Sequence, residues 1–400
     1  MSQPATPDND ATMVEILRRR ADKQPGKTVF TFLADGETDE RCLTYARLDE
    51  RARAIGRWLQ ERGAAGERVM ILCPQGLEFI EALFGCFYAG AIAVPGYPPK
   101  AGRTMGRLET IATDCGARFA FTIKNHLSVL ETALGDASVM RAMKWMAVEG
   151  IEDALAGGWE ETVLTTDSLA FLQYTSGSTA TPRGEMISHG NILGNSRCIW
   201  IGGGHTPETV MVSWLPMFHD AGLVGKILQP VCNGLTAILL SPGDFLQKPV
   251  RWLQAISRYR GTSSCAPNFA YDLCVQRVTA EQKASLDLST WASAWNGAEP
   301  VRRETIDRFS ASFRDCGFRA EAMYPCYGLA ETTVISTGGR HLSPPVFLAA
   351  DADALERHSV QAPAAAAKTR NLVGCGSAFE SHRVVIVDPD RHTPDRKSVR

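Results

Sequence analysis

The sequence has 400 residues, of which 44% are hydrophobic and 22% charged, and its formal net charge is -2. This near-neutral balance, without a polybasic run, argues against nucleic acid as a partner. No apolar stretch approaches the roughly 18 residues of a membrane span and the polar N-terminus has no secretory signal, so we predict a cytoplasmic protein without a membrane span. The eleven cysteines are scattered singly, which favours reduced, mostly buried thiols.

Residues 1–167 alternate helix and strand patterns. A helical pattern ends at Gly63, and the apolar run RVMILC (68–73) that follows is typical of a buried parallel strand. A second helical pattern ends at Gly90, and strand patterns follow at AIAVPGYPP, ARFAFTI and MKWMAV. This alternation predicts an α/β subdomain over residues 1–167, with helices covering a largely parallel sheet.

A second α/β subdomain is predicted over residues 168–335. It has strand patterns at LAFLQYT, VMVSWLP, TAILLS and GTSSCAP, and a helical pattern over residues 245–260. Residues 336–371 are rich in Ala, Pro and Gly, which indicates an insertion or linker. The run HRVVIVD (382–388) then predicts a first strand of a further β-subdomain over residues 372–400.

The strongest motif is YTSGSTATPRG (174–184), which directly follows the strand pattern at LAFLQYT. Hydroxyl groups and backbone N–H groups freed by glycine form a concave surface that suits phosphate oxygens. Arg183 adds a planar, permanently charged donor group for the same anion. From composition alone, a flexible Ser/Thr turn between two strands remains the alternative.

This motif resembles the phosphate-loop signature of the adenylate-forming superfamily, which includes acyl-CoA synthetases, luciferases and nonribosomal-peptide adenylation domains. The blocks SWLPMFHDAGLVGKILQPVCNG (213–234) and AWNGAEPVR…YPCYGLAETT (294–333) resemble the same family in the same order. VPGYPP, LQYTSGST, WLPMFHDAGL, NGAEPVR and the long segment before LVGCG are similar to its fatty-acyl-AMP ligase branch. The resemblance implies the large N-terminal domain of that fold: an α/β structure with two helix-covered, mostly parallel sheets plus the start of a small β-subdomain.

The resemblance also implies a reaction. A fatty acid and ATP, with Mg²⁺, would give acyl-adenylate and pyrophosphate, and the acyl group would pass to the phosphopantetheine thiol of an acyl carrier protein. The segment 336–371 contains what that branch uses to exclude coenzyme A, and polyketide or lipopeptide biosynthesis is the implied setting. Acyl-CoA ligation by the same fold and a non-catalytic acyl-adenylate-binding module remain the alternatives. The small C-terminal domain of the family is absent from this sequence, so we expect acyl-adenylate binding with weak or no turnover.

The resemblance assigns roles to individual residues. The β- and γ-phosphates would be bound by Thr175, Ser176, Gly177, Ser178, Thr179, Ala180, Arg183 and Gly184. Adenine would lie along Gly297, Ala298 and Glu299, with Tyr327 stacked on it and with Asn296 and Gly328 completing the nucleotide site. Glu331 would bind Mg²⁺ and Thr332 the α-phosphate, and His219 would orient the acyl carboxylate or gate its tunnel.

Some residues depart from the family pattern. Gly usually stands where this chain has Ala180 and Lys where it has Arg183, and Glu185 adds a negative charge beside the motif. Amino-acid-activating relatives carry Asp at the position of His219, so a neutral fatty tail fits better than a zwitterion. The apolar stretch 221–231 is consistent with an acyl tunnel wall and equally with ordinary helix packing.

Overall fold

The computed structural model describes residues 11–98, 105–133, 139–175, 182–365, 367–379, 382–388, 390–391 and 393. The strands are, in chain order, β1 (Thr28–Leu33), β2 (Glu40–Thr44), β3 (Arg68–Ile71), β4 (Ile92–Pro95), β5 (Phe119–Thr122), β6 (Lys144–Ala147), β7 (Leu169–Thr175), β8 (Arg183–Ser188), β9 (Val210–Ser213), β10 (Thr236–Leu240), β11 (Ser263–Ala266), β12 (Ser293–Asn296), β13 (Met323–Tyr327), β14 (Thr337–Gly338), β15 (Phe347–Asp351), β16 (Thr369–Val373) and β17 (Ser377–Ala378).

The α-helices are α1 (Met13–Lys23), α2 (Tyr45–Gln60), α3 (Leu77–Tyr88), α4 (Met105–Cys115), α5 (Lys124–Ala133), α6 (His189–Gly202), α7 (Asp220–Gly222), α8 (Gln229–Asn233), α9 (Pro242–Gln247), α10 (Val250–Arg258), α11 (Asn268–Arg277), α12 (Ala280–Lys283), α13 (Arg303–Ser312) and α14 (Ala352–Glu356). A π-helix, Leu223–Leu228, joins α7 to α8.

The described strands form two large sheets and a small one. One sheet has six strands in the order β6-β5-β3-β4-β7-β8, with β8 as its one antiparallel strand. The other has nine strands in the order β17-β14-β13-β12-β11-β9-β10-β1-β2, with β2, β14 and β17 antiparallel to their neighbours. The third sheet pairs β15 with β16. The predicted α/β architecture with two mostly parallel sheets is therefore confirmed.

The predicted division between residues 167 and 168 does not separate these two sheets. β1 and β2 belong to the nine-stranded sheet, where Phe30 pairs with Ala237, whereas β7 and β8 belong to the six-stranded sheet, where Ala93 pairs with Phe171. Local periodicity identifies a strand but carries no information about its long-range partner, so chain order alone misassigned these strands.

Two further predictions differ from the structure. The helix predicted over 245–260 is wrong at its N-terminal end, because Pro249 separates α9 from α10 and has no N–H for a continuous helix. The strand predicted over 382–388 is also wrong: it has one isolated bridge residue at Val387, and Val384 and Ile386 are exposed. Its β-branched composition favours a strand, but within the described residues it has no neighbouring strand to pair with.

Burial follows the helix and strand patterns. The helices α2 and α3 pack against each other, and their buried side chains Leu48, Ile55, Phe84 and Phe87 belong to the core cluster that also contains residues of the six-stranded sheet. All eleven cysteines are free thiols, and most of them are buried, as predicted. In the part of the chain that the structure describes, no helix is long and apolar enough to span a bilayer.

Candidate active site

A cavity of about 530 Å³ opens where the parallel strands of the nine-stranded sheet end. Its walls include residues that directly follow β9, β11, β12 and β13, namely Trp214, Pro267, Gly297 and Gly328. Ligand pockets generally have volumes of about 300–1,000 Å³, and open α/β sheets bind ligands at this edge. Five of the sequence-predicted residues line the cavity: His219, Gly297, Ala298, Tyr327 and Gly328.

One wall of the cavity is backbone. Directly after β12, Gly297 has no side chain, and Ala298 is exposed and has a left-handed φ of 65°. A Cβ at Gly297 would lie 3.0 Å from Cys326 Sγ, so glycine lets these two segments approach. Tyr327 presents a ring that is 54% exposed, and a ring of this kind next to bare backbone is suited to stacking on a flat heterocycle.

The predicted residues Asn296 and Glu299 do not line the cavity. Asn296 is completely buried, and neither atom of its side-chain amide has a hydrogen-bond partner in the described structure. The Glu299 carboxylate accepts a 2.6 Å hydrogen bond from the Phe269 backbone N–H, which ties the start of α11 to the loop after β12. Glu299 therefore fixes the position of a cavity wall.

The turn between β13 and β14 closes tightly on itself. A Cβ at Gly328 would overlap the carbonyl oxygen of Val334, far inside the 3.0 Å that real Cβ contacts keep. Thr332 Oγ1 donates to the Leu329 carbonyl at 3.0 Å and lies 2.7 Å from Ser336 Oγ. Glu331 is exposed on the short 3-10 turn Ala330–Thr332. Neither Glu331 nor Thr332 lines the cavity itself, but Val334 and Ile335, which follow them, do.

Asn195, which sequence reasoning missed, holds this turn from outside. Its buried amide donates to the carbonyls of Thr332 and Ile335, both at 2.9 Å, and its Oδ1 accepts from the Ile335 N–H at 3.1 Å. These three bonds connect α6 to the segment that carries Glu331 and Thr332. Asn195 lies outside the motifs on which the sequence reasoning depended.

We expect Asn195→Ala to weaken the site without unfolding the protein. Removing the amide leaves two carbonyls and one N–H without partners, and each such buried group costs about 1–3 kcal/mol. Binding of a non-hydrolysable acyl-adenylate mimic, measured by calorimetry, should weaken by at least about tenfold. Asn371 is a partly exposed residue whose amide donates to Glu304 at 3.3 Å in an exposed hydrogen bond. It provides the control, because Asn371→Ala should change little. Equal affinities for the two variants would contradict this positioning role.

His219 lies at the N-terminus of α7, and its ring orientation is fixed. Its Nδ1 lies 2.6 Å from Asp220 Oδ1, and this hydrogen bond raises the pKa of the imidazole. Asp220 Oδ1 also accepts a 2.6 Å hydrogen bond from the Ala221 N–H. With Nδ1 engaged by the carboxylate, Nε2 is the ring atom left to contact a ligand.

The predicted phosphate-binding segment lies only partly within the described residues. Ser176, Gly177, Ser178, Thr179 and Ala180 lie outside them. Thr175 and Arg183 are direct partners in the β7–β8 ladder, and the Arg183 side chain is exposed. Packing alone favours glycine at position 184, because a Cβ there would lie 2.9 Å from the Tyr174 ring. The hydroxyl of Tyr174 is hydrogen-bonded to Asp114.

The stretch 221–231 divides between two environments. Ala221, Gly225 and Lys226 line the cavity, whereas Leu223, Ile227, Leu228 and other apolar residues of the stretch pack in the core. Core packing is therefore confirmed for part of the stretch, and an acyl tunnel wall stays a prediction for the residues that line the cavity. Sequence reasoning missed Lys226, the only charged side chain in this apolar run.

The fold is that of the adenylate-forming ligases, and comparisons with known proteins identify the family. Residues 17–398 match the AMP-binding enzyme family, so the chain belongs to that family, and the resemblance predicted above is confirmed. The chain is 42% identical to the medium-chain-fatty-acid–[acyl-carrier-protein] ligase JamA of Moorena producens, over 95% of this chain and 65% of that protein. It is 34% identical to the corresponding ligase TtuA of Teredinibacter turnerae, over 97% of this chain and 66% of that protein.

A solved structure is also similar. The fatty acyl-adenylate ligase from L. pneumophila, in complex with acyl adenylate and pyrophosphate, superimposes with a TM-score of 0.90 at 41% identity. The match covers 96% of this chain and 66% of that one. The chain therefore spans about two thirds of the length of these relatives.

Proposed function

We propose that this chain carries the acyl-adenylate site of a ligase that activates a fatty acid with ATP and passes it to an acyl carrier protein. The main support is that a backbone-and-tyrosine wall and a mostly apolar interior share one cavity, as an adenylate joined to an acyl chain requires. Relatives of this chain are fatty-acid–carrier-protein ligases. Its cytoplasmic location stays a prediction.

The residues fit a nucleotide. Adenine would contact the backbone of Gly297 and Ala298 and the exposed ring of Tyr327, which line the cavity, with the buried Asn296 directly before that edge. Thr332 would contact the α-phosphate, and Thr175, Arg183, Gly184 and the residues between them the outer phosphates. Aligning the fatty carboxylate with a triphosphate requires charge neutralisation more than a protein nucleophile. His219 would orient that carboxylate.

Glu331 would be the protein ligand of Mg²⁺. Among the described residues, no group of three or more His, Cys, Asp or Glu side chains could hold a metal. A single exposed carboxylate is consistent with Mg²⁺ that is bound chiefly through substrate phosphates, the usual arrangement in ATP-dependent enzymes. The ion would offset the charge of the triphosphate.

ATP–pyrophosphate exchange that depends on fatty acid tests this proposal. The complete protein should support exchange, and thioester should then form on a phosphopantetheinylated carrier protein. Thioester on coenzyme A alone would favour acyl-CoA ligation instead. Tight binding of an acyl-adenylate mimic without exchange in the complete protein would favour a non-catalytic binding module. The same two assays on this 400-residue chain check the expectation that it binds acyl-adenylate with weak turnover.

We expect Tyr327→Ala to weaken binding of the acyl-adenylate mimic by about tenfold to a hundredfold. Stacking of an aromatic side chain on a base contributes about 1–3 kcal/mol by alanine substitution. Tyr327→Phe keeps the ring and should keep most of the affinity. Calorimetry on both variants is the measurement, and a phenylalanine variant as weak as the alanine variant would argue against stacking.

A further inference from the structure

The cavity has an exposed mouth and a buried floor. At the mouth, Tyr327 is 54% and Phe269 43% exposed. Toward the interior, Trp214 and Lys226 are each only 3% exposed, and Ile199 and Trp295 are also buried. Since Tyr327 belongs to the proposed nucleotide wall, we assign the buried end of the cavity to the acyl chain. One lysine lies at that end, in a wall that is otherwise chiefly apolar.

The Lys226 amine has no partner within the described structure. The groups close enough to affect its charge are the thiols of Cys265 and Cys326, and burial raises the pKa of both. His205 is also near, and burial lowers its pKa to about 3, which keeps it neutral. Asp220 lines the same cavity, but its contacts are with His219 and with the Ala221 N–H, and it forms no ion pair with Lys226. Lys226 therefore faces neutral neighbours.

A buried amine in this position is costly. Buried charges in proteins are normally paired, and an unpaired one destabilises the fold even after relaxation. Burial lowers the pKa of Lys226, which reduces this cost, and no described residue accepts a hydrogen bond from its amine, which borders the cavity. A purely apolar chain end would leave the amine equally unsatisfied, whereas an oxygen atom on the ligand would supply the acceptor.

We propose that Lys226 binds an oxygen function at the distal end of the acyl chain, so that the preferred substrates are ω-oxygenated fatty acids, with a hydroxyl or a second carboxylate remote from the activated one. This proposal rests on the proposed function, because it assumes that an acyl chain occupies the cavity. It assigns Lys226 as a specificity-determining residue that takes no part in adenylation.

Binding of acyl-sulfamoyl adenosines, which mimic acyl-adenylates and are not hydrolysed, tests the proposal on this chain. Each acyl length between octanoyl and dodecanoyl is prepared with a methyl, a hydroxyl or a carboxylate end. We expect the best oxygenated compound to bind at least tenfold more tightly than its methyl-ended counterpart. Lys226→Met, which keeps the length of the side chain but has no donor, should reverse this order. Lys226→Gln provides a second variant, which keeps a neutral donor and should retain the hydroxyl-ended compound but not the carboxylate-ended one.

The control is Lys124→Met, at an exposed residue outside the cavity. This variant should bind the oxygenated and methyl-ended compounds with the same affinity ratio as the parent protein. Thermal unfolding shows whether the variants are folded, and Lys226→Met should be at least as stable as the parent, since it removes an unpaired buried amine. The proposal would be overturned if the parent and the Lys226→Met variant had the same affinity ratio, or if the parent bound the methyl-ended compounds more tightly than the oxygenated ones.

Exchange assays on the complete protein separate the two proposals. Equal exchange rates with methyl-ended and oxygenated acids would refute the role of Lys226 and leave the adenylation activity intact. A Lys226-dependent binding ratio without exchange by any acid would refute the activity and support the specificity. No binding of any compound would overturn both.

Discussion

Gly328→Ala is expected to abolish binding of the acyl-adenylate mimic. The added Cβ would overlap the Val334 carbonyl oxygen, and this oxygen belongs to backbone, which cannot move aside as a flexible side chain can. The turn that carries Glu331 and Thr332 would therefore have to open. Overpacking of this severity costs about 3 kcal/mol or more, equivalent to more than about a hundredfold in affinity if the closed turn is required for binding.

Calorimetry and urea unfolding together measure this effect. Affinity should fall by more than stability does, because most residues of the buried core lie outside this turn. Gly194→Ala is the matched control: this glycine lies within α6, and its added Cβ would meet nothing within 4 Å. That variant should be unchanged or more stable by up to about 1 kcal/mol. Unimpaired binding by Gly328→Ala would show that the turn need not be closed.

Most of the individual helices and strands could be predicted from the sequence. Short apolar runs such as FAFT (119–122), with all four residues buried, are recognisable because a parallel strand covered on both faces has few polar positions. The sequence could not show to which sheet the strands β1, β2, β7 and β8 belong, because this depends on contacts between residues far apart in the chain. The run 382–388 shows the opposite failure, because a strong strand composition forms no sheet where, among the described residues, there is no neighbouring strand to pair with it.

For a related reason, only some residues of the site could be predicted from the sequence. Motif resemblance located His219, Gly297, Ala298, Tyr327 and Gly328, which do share one cavity. It could not locate Asn195 or Lys226, because both matter through neighbours that are distant in sequence. Asn195 meets Thr332 and Ile335 across more than 130 residues, and Lys226 becomes notable only when its surroundings prove to be neutral and buried.

Arg51 provides the second large expected effect, on stability. This buried side chain of α2 donates from Nε to Glu81 at 3.0 Å and from Nη1 to Asp153 at 2.7 Å. It also donates to the backbone carbonyls of Ile151 at 2.8 Å and Val148 at 2.9 Å. One guanidinium thus joins α2, α3 and the segment after β6, with its donors distributed over four acceptors.

Arg51→Met should lower the free energy of unfolding by about 3–5 kcal/mol, because it removes one partner of a buried ion pair and leaves Glu81 uncompensated. Urea unfolding is the measurement. Arg47→Met is the control, since exposed Arg47 also bonds Asp153, at 2.8 Å, and exposed pairs contribute about 0–1 kcal/mol. Adding Glu81→Leu to Arg51→Met should recover part of the loss, whereas additive losses would mean that Glu81 is not the group left uncompensated.

The loss of stability in Arg51→Met should also depend on pH, and the Glu81 carboxylate determines whether it grows or shrinks as pH rises. Burial raises the pKa of Glu81 above its ordinary value of 4.5, and Arg51 works against that shift. Without Arg51 the folded-state pKa rises further, so the folded protein binds a proton more tightly than the unfolded chain does. Stability then falls as pH rises from 4.5 through the raised pKa. The deficit of Arg51→Met relative to the parent should therefore be smaller at about pH 5 than at about pH 8; an equal deficit at both would show that the Glu81 carboxylate is not responsible for it.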